Sequence, residues 1–280
     1  MMEELHQFLL VADQGTFTAA ARHAHLSQPA LTAAIKRLEA TMGARLFDRD
    51  RRGARLTRAG EALIPRARAA IGAIEEGRRA IEELEGLQAG EVRIGAGSTA
   101  CTHFLPSFVA GFRKHHPGIR FVLREVVPDV ALDLLAQNEI DLAIVTGPRG
   151  ERWREDPLVL VASPEIDPVN APFIAFMRGA NTRALLDKTF PQADIMMELG
   201  SIEGVLGHVR AGTGIALVSR AAAEHDLAAG RVVEIPDRRT PITRVLRIVH
   251  RGQDRLPPSA AAFREVLLGK KVRPKPTIRR

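Results

Sequence analysis

Hydrophobic positions at the start of the chain recur with helical spacing and stop at turn residues. Leu5, Phe8, Leu9 and Ala12 share one face, and Gly15 is placed to end a first helix. Thr16 can cap a short second helix over 17–24. A third opens at "SQPALTAAIKRLE". Ser27 fits its cap, and Pro29 falls in the first turn, where the amide hydrogen that proline lacks would have no helical partner. Leu31, Ile35 and Leu38 take the inward face. Pro29, Ala33 and Lys36 lie away from it, flanked by Thr32 and Arg37. "LFDRDRRGARLT" then reads as strand, turn and strand.

From Arg58 to about Leu87 the helical pattern resumes. Its stripe is Ile64, Ala67, Ile71, Ile74 and Ile81, regular through Ile74 and interrupted by Arg78. Such a stripe must bury against something. A second copy of the chain is the preferred cover, over the chain's own next domain. "LQAGE" at 87–91 reads as a hinge. Beyond it strands and helices alternate: "EVRIG", then a helix with Leu105, Phe108, Val109 and Phe112 on one side, "IRFVLREVV", "VALDLLAQ", "DLAIV" and "LVLVA". Later come "ADIMMEL", a helix from Ser201, "GIALVS", a helix over 220–229, "RVVEI", "ITRVLRIVH" and a last helix near 260–268. That alternation predicts an α/β sheet in two lobes.

Composition narrows this picture. The chain has 280 residues, 45% hydrophobic and 26% charged, enough for a compact core and more than one domain. No apolar run reaches the roughly 20 residues a membrane span requires. The first residues, Met1-Met2-Glu3-Glu4, are acidic where a secretory leader would be basic, so a cytoplasmic protein with no membrane partner is expected. A single cysteine, Cys101, excludes an intramolecular disulfide and a cysteine-based zinc site. It lies near a helix start, where a thiol pKa can fall, although a packed thiol is the plainer reading.

The net charge of +7 is concentrated: Lys270, Lys271, Arg273, Lys275, Arg279 and Arg280 supply +6 of it, so the body of the chain is not generally basic. The segment 45–58 is a separate cluster, with Arg45, Arg49, Arg51, Arg52, Arg55 and Arg58 against Asp48 and Asp50. A cluster of this kind attracts a phosphate backbone. A helix face that is small at its front and basic behind lets bases approach closely. The candidate DNA-contacting set is therefore Ser27, Gln28, Pro29, Thr32, Ala33, Lys36, Arg37, Arg51 and Arg52.

"TFTAAARHAHLSQPALTAAIKRLEATMGARLFDR" and "RLTRAGE" resemble the N-terminal winged helix-turn-helix of LysR-type transcriptional regulators, across Phe8 to Glu61. The resemblance continues through "HPGIRF", "DLAIV", "LVLVASPE", "VRAGTGIALVS" and "AAFREVL". It implies four parts. A mainly α-helical winged helix-turn-helix spans 1–58, and a linker and dimerisation helix with hinge spans 59–90. A two-lobed α/β effector domain, resembling type 2 periplasmic binding proteins, spans 91–268 with a lobe crossing near 161. A basic tail, expected to be disordered, spans 269–280. It further implies that the helix from Gln28 enters the major groove of double-stranded DNA and that the 50–53 wing meets the backbone or minor groove. A homodimer or homotetramer is implied, controlled by a small-molecule effector, with RNA polymerase a further candidate partner.

Ser98, Thr99, Thr102 and His103 cluster at a helix start, where free amides and the helix dipole favour an anion, so a carboxylate effector would suit them. By the resemblance the cleft also receives Pro128, Thr146, Asn181, Thr182 and Ser201. The same stretch, Gly95-x-Gly97-x-x-Ala100 after a strand, matches the dinucleotide fingerprint, with Glu125 near the place of the ribose acid. A nicotinamide-dependent oxidoreductase is the competing class, and a regulator with a degenerate, effector-independent cleft is a third reading. No catalytic spacing of Ser, His and Asp occurs, so an enzyme is not expected; nor are a cofactor and a metal.

Overall fold

The computed structural model describes residues 1–50, 53–82 and 90–270, without the side chains of 49, 50, 80 and 82. The chain divides into two compact units, 1–81 with 136–139, and 82–135 with 140 onward. No helix among the described residues is long and apolar enough to cross a membrane.

The first unit contains α1 (Met2–Gln14), α2 (Phe17–His23), α3 (Gln28–Met42), the antiparallel pair β1 (Phe47–Asp50) and β2 (Gly53–Leu56), and α4, which runs Arg58–Glu82. Local chemistry sets its boundaries. Gly15 ends α1 at φ 67°, a left-handed conformation that a Cβ disfavours. Thr16 and Ser27 each accept a backbone amide, from Ala19 at 3.1 Å and Ala30 at 3.3 Å. Glu39 accepts from the amides of Leu46 (2.8 Å) and Phe47 (3.3 Å), which fixes the entry to the hairpin. Phe47 is buried between Phe8 and Phe17, with ring centroids 5.4 and 5.7 Å away, and so holds the hairpin to the helices. Gly60 lets α4 pass the hairpin, since a Cβ there would lie 2.3 Å from the Leu46 carbonyl oxygen.

The stripe along α4 does not have one cover. Ala67 is buried, and Ile64 and Ile71 pack against the same core as Phe8, Leu31 and Phe47. Ile74 and Ile81 are 55% and 68% exposed. The expectation that Ile64, Ala67, Ile71, Ile74 and Ile81 all meet a second copy is thus corrected for the first three. Periodicity marked the apolar face, but the chain's own preceding helices cover its first turns. Residues 83–89, the expected end of this helix and most of the hinge, lie outside the described residues, as does the tail over 271–280.

The second unit is built on β3 (Gly90–Ala96), β4 (Ile119–Glu125) and β5 (Leu142–Thr146), parallel in the order β4-β3-β5. Between them run α5 (Leu105–His115), entered through a π turn at Ala100–Phe104, and α6 (Pro128–Ala136). The twelve-residue β6 (Glu151–Ala162) pairs antiparallel with β11 (Ile242–Val249), which in turn pairs with β5. Trp153 at the start of β6 packs on the first lobe's core, with Phe263 of α10 (Pro258–Leu267). Val159 and Val161 at its end pack in the second lobe's core. The chain therefore passes between lobes inside this strand. The second lobe adds β7 (Phe173–Phe176), parallel to β8 (Ile195–Leu199), and α7 (Asn181–Thr189), α8 (Ile202–Arg210), β9 (Ala216–Ser219), α9 (Arg220–Ala228) and β10 (Val233–Glu234). β9 and β10 both pair with β6.

Candidate functional site

Burial divides α3 in two. Leu31, Ala34, Ile35 and Leu38 are buried. Ser27, Gln28, Pro29, Ala33, Lys36 and Arg37 are exposed, and Thr32 is half-buried between the two faces. The exposed face is thus the one expected from the spacing. Arg37 Nε donates to Glu4 Oε1 at 3.2 Å. Hydrogen bonds from the N-terminal ammonium and then from Arg37 hold the Glu4 carboxyl below its ordinary pKa. Arg37 is therefore partly tethered to α1, while Lys36 makes no ion pair among the described residues. Arg51 and Arg52, the expected wing contacts, lie outside the described residues.

A cavity of about 260 Å³ opens between the lobes of the second unit. It sits at the carboxyl ends of β3 and β5, the edge where open α/β sheets accept ligands. Of the nine expected effector residues, Ser98, Thr99, Pro128, Thr146, Asn181 and Thr182 line it. Thr102, His103 and Ser201 do not. The physical reason in the first two cases is the π turn, whose wider spacing moves the residues after Ala100 round the axis. Thr102 is exposed, and burial lowers the His103 pKa, its Nε2 having no hydrogen-bond partner among the described residues. Ser201 instead caps α8, accepting from the Gly204 amide at 3.1 Å. The rest of the wall is largely apolar, with Val126, Val127, Ile144, Phe176 and Leu246, and Glu125 stands at its exposed rim. The Asn181 side-chain oxygen is buried without a hydrogen-bond partner among the described residues.

The residue that sequence reasoning missed is Arg244. It lies on β11 directly across from Asp156 on β6, at the crossing between lobes. Asp156 is fully buried and accepts from Arg244 Nε at 2.8 Å and Nη2 at 2.7 Å, and from the Ser219 hydroxyl at 2.5 Å. The guanidinium also donates to Thr182 Oγ1 (3.0 Å) and Thr99 Oγ1 (3.1 Å), one from each lobe. It is the only cation lining the cavity among the described residues. No local signal singled it out, because β6 also carries Glu151, Arg152, Arg154 and Glu155, and β11 carries Arg247. The other missed part is α7, whose cap position is Ala180 and carries no side-chain bond, so no capping signature preceded it.

Cys101 does not have the lowered pKa that a helix start allows. Burial, with the Glu125 charge adding to it, pushes the thiol up to about 11, and Sγ lies 3.6 Å from the Ala96 carbonyl oxygen. At pH 8 its thiolate fraction should be about 100-fold below that of a free cysteine. Alkylation of the native protein is therefore expected to be slower by that order than in urea. Equal rates in the two states would show the thiol to be accessible and ionised. Among the described residues no group of three potential metal ligands occurs.

Comparison with known proteins covers both units. Residues 2–61 match the family model "Bacterial regulatory helix-turn-helix protein, lysR family", and residues 85–271 match "LysR substrate binding domain". A "RuBisCO operon transcriptional regulator" of Acidithiobacillus ferrooxidans is 32% identical over 287 residues, 95% of this chain and 93% of that protein. The "Uncharacterized HTH-type transcriptional regulator YeiE" of Escherichia coli K12 is 31% identical over 286 residues, 95% of each chain. Among solved structures, the crystal structure of CbnR, a LysR family transcriptional regulator, aligns with TM-score 0.70 at 20% identity, over 95% of this chain and 98% of that one. Full-length CbnR in complex with its target DNA aligns with TM-score 0.69 at 20% identity, over 95% and 98%.

Proposed function

The chain belongs to the LysR family of DNA-binding transcriptional regulators with an effector-binding domain, and from that membership we propose that α3 reads its operator and that the cavity between the lobes takes a small carboxylate. The observation that carries the first part is the burial split along α3, which leaves Gln28, Ala33 and Lys36 on one exposed face. Gln28 and Thr32 can reach base edges; Ser27, Lys36, Arg37, Arg51 and Arg52 serve the phosphates. Gln28→Ala and Thr32→Ala should each cost about 1–3 kcal/mol on the operator and little on random DNA. Equal losses on both, in competition assays at fixed salt, would remove them as readers.

For the cavity, Ser98, Thr99 and Thr146 from one lobe and Asn181 and Thr182 from the other supply the polar contacts, and the apolar wall takes the rest of the ligand. A ligand held by both lobes favours one relative angle of the two and so biases the conformation of the regulator. Self-association as a homodimer or homotetramer belongs to this reading, with Ile74 and Ile81 the apolar residues of α4 open to a partner, and RNA polymerase remains a candidate partner in the cytoplasm. The relatives named for the RuBisCO operon and the E. coli YeiE protein are equally similar within 1%, so their names do not choose a target operon.

The test starts from genomic fragments retained by the protein, which yield the operator. Operator affinity is then measured with and without a small-molecule extract of the cell. Ala180→Phe fills the cavity wall and is expected to abolish the response, while affinity without extract stays within about twofold. A filled-cavity protein that responds like the wild type would place effector control elsewhere.

A further inference from the structure

Two threonines from different lobes share one guanidinium, and that fixes the direction of their hydroxyls. Thr99 and Thr182 are 8% and 7% exposed, and both line the cavity. Arg244 donates to each of their oxygens. A guanidinium has donors and no acceptor, whereas a hydroxyl has one donor and two lone pairs. Each threonine oxygen is therefore used as an acceptor on its Arg244 side, and its proton must turn away from the arginine. Among the described residues neither hydroxyl donates to a protein acceptor; both act only as acceptors, toward Arg244. The open direction is the cavity.

We propose that Arg244 is a specificity-determining positioning residue: it turns Thr99 and Thr182 into a matched pair of donors that select a bridging carboxylate over the corresponding amide or alcohol. This rests on the reading of the cavity as the effector site. A carboxylate offers one oxygen to each hydroxyl. A primary amide offers one oxygen and one NH₂, and the NH₂ can be accepted only on a hydroxyl's second lone pair, which leaves that hydroxyl's proton without an acceptor. The charge of Arg244 is balanced by Asp156, and Glu125 stands at the rim. The cavity therefore suits a single carboxylate better than a multiply charged anion. The helix starts alone would not give this selectivity, because free backbone amides donate as readily to the oxygen of an amide ligand as to that of a carboxylate.

The experiment uses the full-length protein and a panel of two- to five-carbon monocarboxylic acids, each with its primary amide and primary alcohol. Binding is followed by ligand-observed NMR and by fluorescence of Trp153. The wild type is expected to bind at least one acid about tenfold more tightly than its amide. Thr99→Val and Thr182→Val should lose that ratio, and Thr99→Ser and Thr182→Ser should keep it. The double replacement Arg244→Gln with Asp156→Asn leaves no buried charge unpaired. Its glutamine oxygen can accept from either hydroxyl, so the ratio should fall towards one. A purely structural role for Arg244 would weaken acid, amide and alcohol alike and leave the ratio untouched, and that result overturns the proposal. So does a wild type that binds no acid, or binds acids and amides equally. Should the double variant not fold, the Thr99 pair decides: a valine variant that keeps the ratio overturns the assignment. The cavity reading itself fails separately, when the Ala180→Phe protein still responds to extract.

Discussion

Replacing Arg244 by methionine should lower the stability of the second unit by about 3–5 kcal/mol, the usual loss when one partner of a buried ion pair is removed. Asp156 shows no exposure, and its other recorded partner is the Ser219 hydroxyl. One hydroxyl cannot replace two charge-assisted bonds to a carboxylate shut off from water. Methionine restores part of the packing, so the effect is electrostatic and not a cavity effect. The paired change Arg244→Gln with Asp156→Asn should recover most of the loss, because a hydrogen-bonded neutral pair costs far less to desolvate than an unpaired carboxylate. Urea unfolding followed at Trp153 measures both, since that ring packs on Phe104 and Phe108 in the same unit. A methionine variant within about 1 kcal/mol of the wild type would mean that water reaches Asp156.

The same pair shows where sequence reading stopped. The α3 face was legible because its determinants are local: Ser27 caps, Pro29 opens the first turn, and residues three and four apart decide burial. The strands of the second unit were legible for the same reason, as runs of apolar residues between turns. Arg244 and Asp156 meet only through the register of two strands 88 positions apart, which no short window contains. Thr102 and His103 were assigned to the cavity because they cluster at a helix start, but that start is a π turn at Ala100–Phe104 and neither residue lines the cavity. The α4 stripe gave the apolar face correctly but not its cover, because periodicity does not say which of several surfaces arrives first. The Gly95-to-Ala100 loop matched a dinucleotide fingerprint for a sound reason. It ends a parallel strand and starts a helix at a ligand-accepting edge, which regulators and dehydrogenases can share; membership in the LysR family assigns it to the effector-binding domain.

Phe47→Ala should remove about 3–5 kcal/mol from the first unit and almost nothing from the second. Phe47 is 2% exposed, and its ring touches Phe8 of α1 and Phe17 of α2. With Leu46, Ala54 and Leu56 it packs the hairpin on the helices, so its truncation loosens β1. Glu39 still holds the Leu46 and Phe47 amides, which depend on the backbone and not on the ring. The hairpin should therefore stay attached but lose its fixed orientation. Binding to operator and random DNA should then fall together, unlike the selective losses expected for Gln28 and Thr32. The single tryptophan makes the units separable. Trp153 belongs to the second, so its fluorescence transition should not move, while the helical signal in circular dichroism loses part of its amplitude at lower urea. A Trp153 transition that shifts with the Phe47 variant as far as with the Arg244 variant would show that the two units unfold as one.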